Sequence, residues 1–131
     1  MKHSYIVAIG SNYNAEINIG LALEMLVNEF GVFEITHLID TDPIGMPNNL
    51  CFKNGLVHLH SLLALEEVKL LLKEMEKKIG RTAEDKSKGI VFIDMDVIMQ
   101  DNTIIDQEDY GRDYMQELLS VLNLKIDGSK N

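Results

Sequence analysis

The chain has 131 residues, of which 46% are hydrophobic and 25% charged, and its 21 Asp and Glu against 12 Lys and Arg leave a formal net charge of −9. This length suits a single domain over 1–131 with one core, and the composition excludes a disordered chain of low hydrophobicity. The acidic balance argues against a nucleic-acid surface, which needs excess cations, and no apolar run approaches the about 18 residues of a membrane span.

Tyr5 to Ile9 is almost wholly apolar and β-branched and predicts a strand, broken by Gly10-Ser11-Asn12. From Ala15 to Phe30, Ile19, Ala22, Leu23, Leu26 and Phe30 recur at steps of three and four, the stripe of an amphipathic helix. Val32 to Ile39 reads as a second strand, stopped by Asp40-Thr41-Asp42-Pro43. A loop to Leu50 carries both prolines, and Cys51 to His60 resumes strand character. Leu65, Val68, Leu72, Met75 and Ile79 line one face of a helix over Ala64 to Ile79, with Gly80 as its stop. Arg81 to Gly89 reads as an exposed loop and Ile90 to Met99 as the last long strand. A short extended piece at Thr103 to Ile105, a helix from about Asp113 to Leu124 and a frayed tail from Asp127 complete the chain.

The order β-α-β-β-α-β predicts an α+β, ferredoxin-like sandwich: an antiparallel four-stranded sheet, two helices on one face, and a C-terminal helix besides. The second sheet face is left for ligand. Cys51, without Cys/His metal spacing, reads as a small buried thiol with no chemistry. With no charged-then-apolar leader in view, a cytoplasmic location is expected, and a monomer is favoured.

Asp94 and Asp96 stand inside the most apolar strand. Residues two apart share a strand face, so the carboxylates must lie side by side and repel. A cation between them removes that cost, and two carboxylates with substrate phosphates are a habitual Mg²⁺ environment. Nearby Arg81, Lys86 and Lys88, together with Gly10-Ser11-Asn12, suggest a nucleotide phosphate held through metal. The alternative at this level is that both aspartates edge the sheet and face water, or that one of them caps loop backbone. His58 and His60 alternate on one strand face without a third ligand and read as structural, while His3 and His37 carry no signal.

Five landmarks in order, Ala8-Ile9-Gly10-Ser11-Asn12, Thr41-x-Pro43-Ile44-Gly45, Phe52-Lys53-Asn54, Glu76-x-x-x-Gly80-Arg81 and Ile93-Asp94-Met95-Asp96-Val97-Ile98, resemble the 6-hydroxymethyl-7,8-dihydropterin pyrophosphokinases of folate biosynthesis from Tyr5 to about Tyr114. The resemblance implies the same ferredoxin-like fold and transfer of the terminal pyrophosphoryl group of ATP to the pterin hydroxymethyl oxygen, with AMP released. Carried over by position, it implies that Asp94 and Asp96 hold two Mg²⁺, with Arg81 as a further catalytic residue. It places Thr41, Ile44, Phe52, Asn54 and Tyr114 around a reduced pterin, and Glu76, Lys86, Lys88, Ile98 and Arg112 on the ATP side. The family's arginine before the aspartates is Val91 here, its loop arginine and tryptophan positions read Ala83, Ser87 and Lys88, and the acidic Asp106-Gln107-Glu108-Asp109 stands near a shortened ATP segment. Lys86, Lys88 and Arg112 are the expected substitutes. A relative that keeps the pocket as a pterin- or nucleotide-binding module, impaired in turnover, is the alternative.

Overall fold

In the computed structural model, which describes residues 2–42, 50–80 and 83–130 and leaves out the side chains of Phe33, Ala83, Lys86 and 123–130, the opening apolar run forms β1 (His3–Ser11). Asn14, at φ 42, turns the chain in the left-handed region that asparagine tolerates, and α1 (Ala15–Glu29) follows. The stripe read from the sequence is the buried one, with Ile19, Ala22 and Leu26 inward.

The expected second strand is divided into β2 (Gly31–Ile35) and β3 (Ile39–Thr41), and both pair with β4 (Phe52–Ser61). The break lies at Thr36, whose hydroxyl donates to the His37 carbonyl at 2.9 Å and accepts the Leu56 N–H at 2.8 Å. A side chain here takes the place of a ladder partner. Gly55 lies beneath, where a Cβ would come within 2.8 Å of the Leu38 side chain.

The amphipathic α2 (Leu65–Ile79) ends on Gly80 at φ +131, a conformation that calls for glycine. The span expected as an exposed loop instead holds a short helix, α3 (Ala83–Ser87), tied by the Ser87 hydroxyl to the Glu84 carbonyl and by Lys88 to Glu84. The last long strand, β5 (Asp94–Gln100), starts four residues later than the apolar pattern suggested. Asn12 accounts for this: its backbone N–H and side-chain oxygen bond Val91, and its amide donates to the Gly89 carbonyl at 2.7 Å, so a side chain holds residues 89–91 in place of a strand. A two-residue β6 (Thr103–Ile104), a single-turn α4 (Gln107–Tyr110) and α5 (Asp113–Lys130) complete the chain. The α5 backbone runs through the stretch expected to fray.

The sheet order is β2-β4-β1-β5-β6, with β3 also on β4 and every pairing antiparallel. The four long strands in this order are compatible with the ferredoxin-like arrangement. Tyr5, Val7, Ile9, Leu59, Met95 and Val97 turn to one face, where Leu26 of α1 and Leu72 of α2 cover them. Ile6, Leu56 and Ile98 turn to the other and meet Met115, Leu118, Leu119 and Leu122 of α5. That second face is therefore not wholly free for ligand, because α5 carries an apolar stripe of its own and covers part of it. Among the described residues, no helix is long and apolar enough to cross a membrane.

His58 is buried on the α5 face, with its Nε2 2.6 Å from the Ser4 hydroxyl; burial and the neighbouring His60 hold its pKa low. Cys51 is exposed, against the expectation of a buried thiol, because it precedes the first paired residue of β4.

Candidate active site

Strand register builds the site. Gly10 of β1 pairs with Asn54 of β4 on one side and Asp94 of β5 on the other, and Ala8 pairs in the same way with Leu56 and Asp96. Gly10 thus stands between Asp94 and the Asn54 amide, and Ala8 between Asp96 and Leu56, and these two small residues leave a trough in the sheet. A Cβ on Gly10 would come within 2.6 Å of Asn54 Oδ1.

A cavity opens above the trough. Thr41 and Phe52, opposed in the β3–β4 register, line one wall with Asn54, and the Asn54 amide donates to the Thr41 hydroxyl at 2.6 Å. Tyr114 and Arg112 line it from the start of α5, and Asp94 and Asp96 close the end. The structure thus brings seven of the sequence-predicted site residues together. Burial pushes the Tyr114 phenol above its ordinary pKa, opposed by Arg112. Arg112 is engaged by its own neighbours: its Nε donates to Asp109 at 2.9 Å, and Glu108 lies 3.5 Å away.

The carboxylates are reached from behind by a residue the sequence reading passed over. Lys73 of α2 extends round the edge of β5, its Nζ 3.1 Å from Asp96 Oδ1, 3.8 Å from Asp94 Oδ1 and 3.0 Å from Glu76 Oε2, and it donates to the Met95 carbonyl at 3.2 Å. Glu76, with only 2% of its surface exposed, accepts the Met95 N–H at 2.7 Å. Side chains of α2 therefore satisfy both polar groups of Met95 on the edge of β5 away from β1, where among the described residues no strand pairs with it, a way of closing a sheet edge. The signal for Lys73 was its i,i+3 spacing to Glu76 beside the apolar stripe.

Burial, and next the Asp94 charge, raise the Asp96 pKa from 3.8 to about 6, against the lowering effect of Lys73. Burial lowers the Lys73 pKa, but Asp96, Glu76 and Asp94 together outweigh it and hold it above the ordinary value. A second cavity lies on the α2 side, lined by Lys69, Leu72, Lys73, Met95, Asp96 and Asp106 among others, so Asp96 borders both cavities.

The remaining expected residues are placed otherwise. Ile98 is fully buried against α5, so its side chain belongs to the core and offers no surface to a nucleotide. Lys88 is 61% exposed and paired with Glu84, away from both cavities' linings. Ile44, Arg81 and the Lys86 side chain lie outside the described residues.

The donor set suits a hard divalent cation in part. Two adjacent carboxylates, partly open to a cavity, already hold one cationic group, while no group of three or more His, Cys, Asp or Glu among the described residues could hold a metal ion by itself. Further oxygens would have to come from a ligand or water, as Mg²⁺ usually has them.

The family model of the 7,8-dihydro-6-hydroxymethylpterin-pyrophosphokinases matches residues 6–124. No curated protein matches the chain.

Proposed function

Because the chain belongs to the 7,8-dihydro-6-hydroxymethylpterin-pyrophosphokinase family, we propose that it transfers a pyrophosphoryl group from ATP to the hydroxymethyl oxygen of a reduced pterin in folate biosynthesis. The observation that carries this reading is that Asp96 borders two cavities. Ligands seated in both would meet at the carboxylate pair.

The pterin takes the trough. Phe52 and Tyr114 offer it aromatic faces, Asn54 pairs with the edge of its ring through an amide oriented by Thr41 and seated where a Gly10 side chain would stand, and Asp94 lines the same cavity where the hydroxymethyl group arrives. ATP enters from the α2 side, with Lys69 and Lys73 facing its phosphates. Asp94 and Asp96 would hold two Mg²⁺, which supply neutralisation of the polyphosphate charge when bound. Positioned in this way, the hydroxymethyl oxygen bonds to the β-phosphorus and gives up its proton to water, while the bond from the β-phosphorus to the oxygen bridging the α-phosphate breaks and AMP leaves with that oxygen. The enzyme contributes orientation and electrostatics and needs no covalent intermediate.

Glu76 serves as a positioning residue, since its contacts are with Met95 and Lys73. Arg112 faces the trough and takes a phosphate oxygen once a ligand competes with Asp109. Ile44 at the pterin and Arg81 and Lys86 at the phosphates rest on the family resemblance alone. A cytoplasmic monomer agrees with this chemistry.

One observation favours a binding module without turnover: Arg112 and Lys88 are paired with acids of this chain. The test is magnesium-dependent AMP formation from ATP and 6-hydroxymethyl-7,8-dihydropterin. The expected result is turnover that falls roughly a hundredfold or more in Asp94→Asn and in Asp96→Asn. Pterin binding without AMP formation supports the module instead.

A further inference from the structure

This inference rests on the reading of Asp94 and Asp96 as a cation site and adds a control to it. The Lys73 ammonium lies within 4 Å of three carboxylates, Glu76, Asp94 and Asp96, and bonds the Met95 carbonyl. These are hard oxygen donors of the type a divalent cation takes. The acceptors differ in freedom. Glu76 is buried and fixed to the Met95 N–H, whereas the Asp94 and Asp96 side chains are 41% and 35% exposed and border the cavities. The lysine side chain is itself 46% exposed and lines the second cavity with Lys69, so it has both a fixed anchor and an open direction in which to move. One ammonium against three carboxylates leaves the cluster with excess negative charge, so the lysine weakens the demand for a metal ion without removing it.

We propose that Lys73 is an internal counter-ion that competes with divalent metal for Asp96, and that a polyphosphate entering the second cavity draws it away and frees the carboxylate pair. Metal loading then depends on nucleotide. Without nucleotide the lysine stands in for the ion, which spares the protein two facing, uncompensated carboxylates. With nucleotide present, the same ammonium moves to phosphate oxygens.

The test is Mn²⁺ binding to the whole protein at pH 8, read from the electron paramagnetic resonance signal of free Mn²⁺. Wild type, Lys73→Met and Lys73→Gln are compared with and without a non-hydrolysable ATP analogue. Without nucleotide, both variants are expected to bind Mn²⁺ roughly tenfold or more tightly than wild type, the size of effect given by removing a cation about 3–4 Å from a partly exposed carboxylate. With the analogue, the gap is expected to narrow to about threefold or less. A damaged fold would not give this gain in affinity, and Lys73→Gln retains a hydrogen-bond donor for Glu76. Equal Mn²⁺ affinity of the three proteins without nucleotide overturns the proposal, as does a gain that persists after Asp96→Asn is added. If none of the three binds Mn²⁺, both the proposal and the metal reading fall. If the variants gain affinity while wild type forms no AMP, the counter-ion role stands and the kinase reading fails.

Discussion

Burial and the adjacent Asp94 both press Asp96 toward its neutral form, and Lys73 offsets them only in part, which leaves the pKa at about 6 against 3.8 in an unfolded chain. A raised carboxyl pKa in the fold means that the native state holds the proton longer. The contribution to stability is present in full below about pH 3.8 and is lost as pH rises through about 6. Asp96→Asn removes this dependence, so its melting temperature in metal-free buffer should gain on wild type steadily between pH 4 and 7; a constant difference across that range would contradict the assignment. Gly10 makes a second residue-scale prediction. In Gly10→Ala the new methyl meets the end of the Asn54 side chain, 2.6 Å away, which can turn aside. The fold should survive while pterin affinity falls by roughly tenfold, as expected for a displaced polar contact in a pocket, and titration calorimetry of the pterin measures it. Unchanged pterin affinity would separate the trough from the pterin site. At this scale the aspartate pair was legible, because strand alternation puts residues two apart on one face. Lys73 was not, because a lysine on the flank of an apolar stripe looks like any solvated charge until the helix is docked against a strand edge.

The α2–β5 junction is held by side chains doing what a neighbouring strand would do. Glu76 takes the Met95 N–H and Lys73 the Met95 carbonyl, and the same two residues set the charge behind Asp96. Glu76→Ala should therefore cost about 1–3 kcal/mol of stability, the penalty for leaving a buried donor without its acceptor, as read by urea unfolding. Glu76→Gln, which retains an acceptor, should cost less. Equal costs would mean that the carboxylate charge, and not the hydrogen bond to Met95, is what the fold needs. Long apolar-patterned elements were the readable ones: β1, α1, β4 and α2 fall within a residue or two of where periodicity put them. What periodicity missed depends on single polar side chains. Thr36 divides one strand by taking over its hydrogen bonds, and Asn12 holds residues 89–91 out of another. Hydrophobic pattern carries no record of either.

Across the whole molecule, the sheet has a covered face under α1 and α2 and a second face shared between α5 and the trough. The sequence predicts a C-terminal helix but not where it packs, which is why the second face reads as open from sequence alone. Leu118, fully buried between α5 and the sheet, is the test of that packing: Leu118→Ala should cost about 2–5 kcal/mol, and a loss under 1 kcal/mol would mean that α5 is not seated there. By covering only part of the face, α5 brings Tyr114 and Arg112 to the trough and leaves Asp94 and Asp96 accessible. The central claim is that the trough and the α2-side cavity bring two substrates together at this carboxylate pair. Its most direct measurement is the product balance by mass spectrometry after incubation of the protein with ATP, Mg²⁺ and 6-hydroxymethyl-7,8-dihydropterin. The account predicts one AMP for each pterin diphosphate formed, with neither appearing when one substrate is omitted. Formation of ADP with a pterin monophosphate, or no pterin product at all, would contradict it.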